Sequence, residues 1–275
     1  MNKSKSIILI LLAAFLPGIT AIAQQQDSLG SIRTLIRVCN VYKELPLQLG
    51  VRLQHSANYI TSPDDTMHID VKFYLQREGS YVSFGELEQV ANDSLLLLVS
   101  NSMKRMIVYP AGKSVAGQFR QYMGLQLNDS SLLRLAAGYT ASILPEEKGL
   151  AGIELKSRLA IPYTTMPKEL IRVKYRLANN QPLEITQTSR RLIPITQSEY
   201  RALSSKSEWG DHLLATPDSS YFLIKEQVST YIYDYITHTS GLKLPVAVSD
   251  RIMSYGHGKF VPVKSFGDFS LTQNF

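Results

Sequence analysis

The groups in this chain able to do acid–base, nucleophilic or metal chemistry are few and scattered. The histidines are His55, His68, His212, His238 and His257, and no two stand at helical ligand spacing. There is no H-E-x-x-H pair and no G-x-S-x-G nucleophile turn. His68 and Asp70 share one parity of a strand, so a third ligand would complete a metal site. That parity is the polar one, and solvent exposure is the simpler expectation. Asp64-Asp65 falls in a turn, the usual place for an acidic pair. Glu86 and Glu88 share a parity, as carboxylates on a wet sheet face do. A glycosidase pair could be drawn from such groups, but the sequence does not fix their separation. Gly112-Lys113-Ser114 matches the end of a phosphate-binding loop, yet Ile107 stands where that loop needs another glycine. Cys39, the single cysteine, lies on an apolar helical stripe and reads as a small buried hydrophobe. No catalytic residue, cofactor or metal is expected from these residues.

The elements around them are mostly strands. Leu47, Leu49, Val51, Leu53, His55, Ala57 and Tyr59 take one parity, and Gln48, Gly50, Arg52, Gln54, Ser56 and Asn58 the other. After Ser62-Pro63-Asp64-Asp65, Met67, Ile69, Val71, Phe73 and Leu75 repeat the pattern. A period of two predicts strands with one apolar face, here opening an antiparallel meander. A third strand is expected over 81–90. Leu95-Leu96-Leu97-Leu98-Val99 is apolar on both parities and is expected to be central or buried on both sides. Met106–Tyr109 follows, and Pro110-Ala111-Gly112 closes the meander. The expected core of this block is Leu49, Val51, Leu53, Ile69, Val71, Phe73 and Leu97.

Before it, Leu29, Ile32, Leu35, Ile36, Cys39 and Tyr42 predict a helix over 27–44. Its stripe is expected to cover the odd-numbered face of 47–59 and 67–75. Residues 113–150 read as a long connection with short helices, one starting at Asn128-Asp129-Ser130-Ser131. Strands return over 153–161 and 171–177, and Asn179-Asn180 turns the chain onto 183–188. Thr196-Gln197-Ser198-Glu199 is a capping box for a short helix over 197–205. For 219–239, helical spacing of Ile224, Val228, Tyr231, Ile232, Tyr235 and Ile236 is preferred over the alternation of Tyr231, Tyr233 and Tyr235. The tail reads as two strands around Gly256-His257-Gly258-Lys259.

At the start, Lys3 and Lys5 precede the apolar run 7–16, and Ala21-Ile22-Ala23 supplies small residues for cleavage. This predicts a signal peptide over 1–23 and a single β-rich domain over 24–275, exported to the periplasm or beyond. The apolar run is too short for a membrane anchor, and the mature chain is expected to have no transmembrane segment. The +6 formal charge falls by two when Lys3 and Lys5 leave, and no basic block exists, so no nucleic-acid partner is expected. With 44% hydrophobic and 19% charged residues the chain is globular rather than disordered. Fifteen tyrosines against one tryptophan suit a cavity rim, but ordinary strands are the simpler expectation.

The order of elements carries one resemblance. An exported chain with an amphipathic helix enters long alternating strands. Later Ile171-Arg172-Val173-Lys174-Tyr175 turns at Asn179-Asn180 into Pro182-Leu183-Glu184-Ile185. Over about 30–200 this resembles the periplasmic lipoprotein carriers of the LolA/LolB type. The resemblance implies a mainly β (α+β) fold: a strongly bent antiparallel sheet, an incomplete barrel, with a few covering helices. It also implies an apolar cavity for acyl chains. Placed on this chain, the cavity would be lined by Leu35, Leu49, Val51, Leu53, Ile69, Val71 and Phe73, with the helix at 28–43 as a lid; a plain packed core is the other expectation. The first functional expectation is a non-enzymatic binding protein for lipid or lipoprotein handling in the cell envelope, with an acyl chain or lipoprotein as partner. The second is an assembly or accessory subunit that binds an envelope protein. The third is an enzyme with a dispersed site. Asp27-Ser28-Leu29, Asp65-Thr66-Met67 and Asp93-Ser94-Leu95 also resemble the O-glycosylation acceptors of exported Bacteroidota proteins.

Overall fold

The computed structural model of the chain describes residues 28–110, 129–256 and 258–275. The expected leader at 1–23, the Gly112-Lys113-Ser114 stretch and His257 lie outside the described residues. A helix, α1 (28–39), runs on through a 3-10 turn at Asn40–Lys43 into β1 (Leu47–Ala57). The meander continues as β2 (Met67–Leu75), β3 (Gly79–Phe84), β4 (Leu87–Asn92), β5 (Leu95–Ser100) and β6 (Arg105–Pro110). Next come α2 (Asp129–Gly138), β7 (Tyr139–Glu147), β8 (Leu150–Ser157), β9 (Glu169–Arg176) and β10 (Pro182–Ile195). The chain ends through α3 (Gln197–Ser204), β11 (Leu213–Ala215), β12 (Tyr221–Thr237), β13 (Ile252–Gly256), β14 (Lys259–Pro262) and β15 (Ser270–Gln273).

All but β13 and β14 join one 13-stranded sheet, ordered β15-β6-β5-β4-β3-β2-β1-β12-β10-β9-β8-β7 with β11 on β12. It is antiparallel except where β15 runs parallel to β6. It does not close into a barrel, so the fold is the mainly β, incomplete-barrel class the resemblance implied. The two halves are joined late: β1 pairs on one side with β2 and on the other with β12, Leu49 facing both Phe73 and Ile236.

Several expectations need correction. Residues 221–237 are the strand β12, not a helix. Its apolar residues occupy both parities because it lies inside the sheet, paired to β1 and β10, and this mixture imitated a helical stripe. The expected third strand is two, β3 and β4, because Gly85 takes a positive φ of 55° and turns the chain. The connection at 113–150 includes a nine-residue strand, β7. Capped α3 forms where the sequence placed it: Thr196 Oγ1 accepts from the Glu199 N–H at 3.2 Å, and the Glu199 carboxylate accepts from the Thr196 N–H at 2.7 Å.

Three apolar clusters hold the sheet. On the face that carries α1, here the inner face, Ile32, Leu35 and Val38 pack on Ala141, Ile153, Leu155, Val173 and Tyr175 of β7–β9. The helix therefore covers mainly the β7–β9 end, and only its last residue, Cys39, reaches the β1–β2 residues it was expected to cover. The second cluster, Tyr42 on Leu47, Leu49, Val51, Leu75 and Ile236, closes the middle, and Cys39 touches both clusters. The third lies on the outer face. Val90, Leu97, Val99, Met106 and Val108 are covered there by Val248 and Ile252, with Phe266 and Phe269 against them.

Candidate inner-face groove

Paired strand residues point to one face, so the register fixes what each row of the inner face presents. One row reads Leu49, Phe73, Val82, Gln89, Leu98 and Ile107 from β1 to β6. The next reads Val51, Val71, Phe84, Leu87, Ser100 and Arg105. Burial falls along both, Ser100 at 7% exposed excepted. Leu49 is fully buried and Val51 is 7% exposed, while Leu98 is 37% and Leu87 48% exposed. The middle of the sheet is plugged by Tyr42 and α1's extension; the β3–β6 end is an open apolar surface.

That surface holds a groove of 390 Å³, lined by Val82, Phe84, Leu87, Leu98, Met103 and Ile107, with Gln89, Ser100, Glu88 and Arg105 as its polar members. The size is that of a small-ligand cleft. The contrast between the two sides of β5 is sharp. Leu97 and Val99 are essentially fully buried on the outer face, whereas Leu98 opens into the groove. Of the two expectations for 95–99, the central position holds, with β5 lying between β4 and β6, and burial on both sides is corrected. The C-terminal segment covers the outer side only, and Leu98 and Ile107 lack an equivalent cover among the described residues.

The seven residues expected to line a cavity divide in two. Leu35, Leu49, Val51 and Val71 are buried, the first three within the packed clusters. Leu53, Ile69 and Phe73 are half-buried on the same face, beside the groove rows. The groove residues Phe84, Leu87, Leu98, Met103 and Ile107 were not expected as lining. The signal that could have found them was the double-parity apolar run of β5, which implies two covers where the described residues supply one.

The polar groups fall elsewhere. His68 and Asp70 stand exposed on the outer face, 3.7 Å apart. Among the described residues no three His, Cys, Asp or Glu side chains gather as a metal site would require. Asp65 is not a solvated turn residue: it is 3% exposed in the 3-10 turn Pro63–Asp65. Lys225, fully buried on β12, donates to its Oδ2 at 2.5 Å and to Thr61 Oγ1 at 2.6 Å. The N–H groups of Thr61 and Ser62 donate to the same oxygen at 2.6 and 3.0 Å, and Gln227 donates to Oδ1 at 3.2 Å. These donors, Lys225 first, hold the Asp65 carboxyl far below the usual carboxylate range. Glu88 is likewise not on a wet face. Arg251 Nη2 and Nε reach its Oε2 at 2.9 and 3.1 Å, Asn101 donates to its Oε1 at 3.1 Å, and the guanidinium stacks on Phe266 at 4.6 Å. Burial pushes the Cys39 thiol up to about 11, which leaves it unreactive at neutral pH.

A second hollow, 310 Å³, lies at the β7–β9 end. Its lining mixes Leu144, Leu150 and Val173 with charges of both signs, Lys148, Arg172 and Lys174 against Glu147 and Glu184. No helix among the described residues is long and apolar enough to cross a membrane.

No family model matches the chain, and no curated protein matches it. Solved structures with some likeness include an uncharacterized conserved protein from Thermus thermophilus, at 8% identity and a TM-score of 0.30, over 75% of this chain and 86% of that one. A LolA superfamily protein from Nitrosomonas europaea aligns at 12% identity and a TM-score of 0.25, over 75% and 93%. An outer-membrane lipoprotein-sorting protein domain from Vibrio parahaemolyticus aligns at 11% identity and a TM-score of 0.24, over 76% and 93%.

Proposed function

We propose that the chain is an exported, non-enzymatic binding protein of the cell envelope that holds an acyl chain in the inner-face groove at β3–β6. One observation carries this reading. Strands β4–β6 are fully packed on their outer side and leave a 390 Å³ apolar groove on their inner side. Apolar side chains left open beside a well-packed core mark a binding surface. The export expected from residues 1–23 and the single domain expected over 24–275 belong to the same proposal.

The test uses the purified chain, stripped of bound lipid, and the neutral dye Nile red. The wild type should bind the dye, and a C18 acyl ligand should displace it. Leu98→Asp puts a charge into the groove at a partly exposed position. It should weaken binding at least tenfold and leave the melting temperature within a few degrees. A wild type that binds neither the dye nor any acyl ligand, and from which solvent extracts no lipid, would remove the reading. A protein partner in the envelope would then take first place.

A further inference from the structure

The groove has a chemical polarity of its own. Two charged residues border it, Glu88 and Arg105, and only Arg105 has its side chain on the inner face. Glu88 is spent: Arg251 and Asn101 occupy both of its oxygens on the outer side of β4, with the Glu88 and Arg251 side chains 13% and 14% exposed. Arg105 is not spent. It starts β6 at one end of an inner-face row, beside Ser100 on β5 and Ser270 on β15. Its side chain makes no hydrogen bond or ion pair among the described residues. The neighbouring groove residues Leu87, Leu98 and Ile107 are apolar. The lining therefore combines an apolar trough with one uncompensated guanidinium at its end.

Resting on the binding reading above, we propose that the ligand is an anionic single-chain amphiphile, a long-chain fatty acid, with its carboxylate on Arg105 and its chain along Leu98 and Ile107. A guanidinium fits a carboxylate with two parallel N–H donors, which fixes direction as well as charge. An alkyl chain with a neutral head would gain the trough and lose the pairing. Because Arg105 is exposed, water and salt screen the pair, and its contribution is modest.

The experiment is displacement of Nile red from the lipid-stripped full chain by oleate and by oleyl alcohol, which share one C18 chain. The wild type should bind oleate about tenfold tighter than the alcohol, the equivalent of one charge-assisted contact. Arg105→Gln should erase that preference while the alcohol's affinity stays within about twofold, and Arg105→Lys should restore part of it. Unchanged circular dichroism and melting temperature show that the variants fold. If wild type binds both ligands equally, or if Arg105→Gln keeps the preference, the assignment of Arg105 fails and groove binding stands. If neither ligand displaces the dye, both the assignment and the binding reading fail.

Discussion

Lys225 is the residue that local sequence reasoning reads least well. In Leu223-Ile224-Lys225-Glu226 a lysine marks a solvent face, yet here its ammonium is fully buried against Asp65. The partner is 160 positions away, and no local pattern announces it. Replacing Lys225 by Met leaves a buried carboxylate without its counter-charge, and should lower unfolding free energy by about 3–5 kcal/mol in urea titration. The pH dependence follows from Asp65. Its folded pKa lies below its unfolded value, so the pair's contribution is complete above the unfolded pKa and is lost as pH falls through the folded one. Stability of the wild type should therefore fall on acidification below about pH 4, the ordinary carboxylate range, more steeply than that of Lys225→Met. Cys39 is the opposite case, a residue whose helical stripe made it legible. With its thiol pushed to about 11, it should react with a disulfide reagent at pH 8 only slowly in the native chain and at once in guanidinium.

At the scale of elements, period two was readable wherever one face meets the core and the other meets water. That holds for β1, β2 and β9, and in β8 the alternation was readable although Glu154 is buried and paired with Lys156 and Arg172. It failed where both faces are apolar. β12 is flanked by two strands and carries Tyr231 and Tyr233 inward with Ile232 outward, so the helical template fitted its apolar residues better than the strand template did. β5 is the informative member of this class, because its two faces have different neighbours. Leu97→Ala should cost about 2–5 kcal/mol through the cavity left under Val248 and Ile252. Leu98→Ala, one residue on, should cost less than about 1 kcal/mol, because the side chain is 37% exposed. Equal losses in urea titration would mean the inner face is packed after all. Gly50 on β1 gives a second element-scale test. A methyl there would stand 2.5 Å from the Tyr235 ring, at the position where the β1–β12 register shifts. Gly50→Ala should displace that ring and destabilise the chain by about 1–3 kcal/mol, an overpacking cost.

Over the whole molecule, the architecture was legible as a class and its coverings were not. Alternating strands predict a sheet, but they do not say which helix lies on which strands. The inner cover comes from α1 at the β7–β9 end, and the outer cover from residues 248–271 at the β4–β6 end. Both depend on contacts between distant parts of the chain. Leu49 and Val51 pack against Tyr42, and Leu35 packs among residues of β7–β9, so Leu35→Glu would strike a packed cluster. Removing residues 246–275 should uncover Leu97, Val99, Met106 and Val108 and raise binding of an anionic hydrophobic dye well above that of Leu98→Asp. A truncated chain with unchanged dye binding and melting temperature would show that the outer cover contributes little.

The pairing of β1 with β12 sets a constraint of timing. While the chain emerges from the ribosome, β1 can find β2 within a few residues, but its other edge waits for residues 227–237, some four-fifths of the way along the chain. Until then the nascent polypeptide carries an unpaired strand edge next to the apolar residues Leu47, Leu49 and Val51, a template for wrong pairing with another copy. Vectorial passage across a membrane would prolong that interval in the same order, first residue to last.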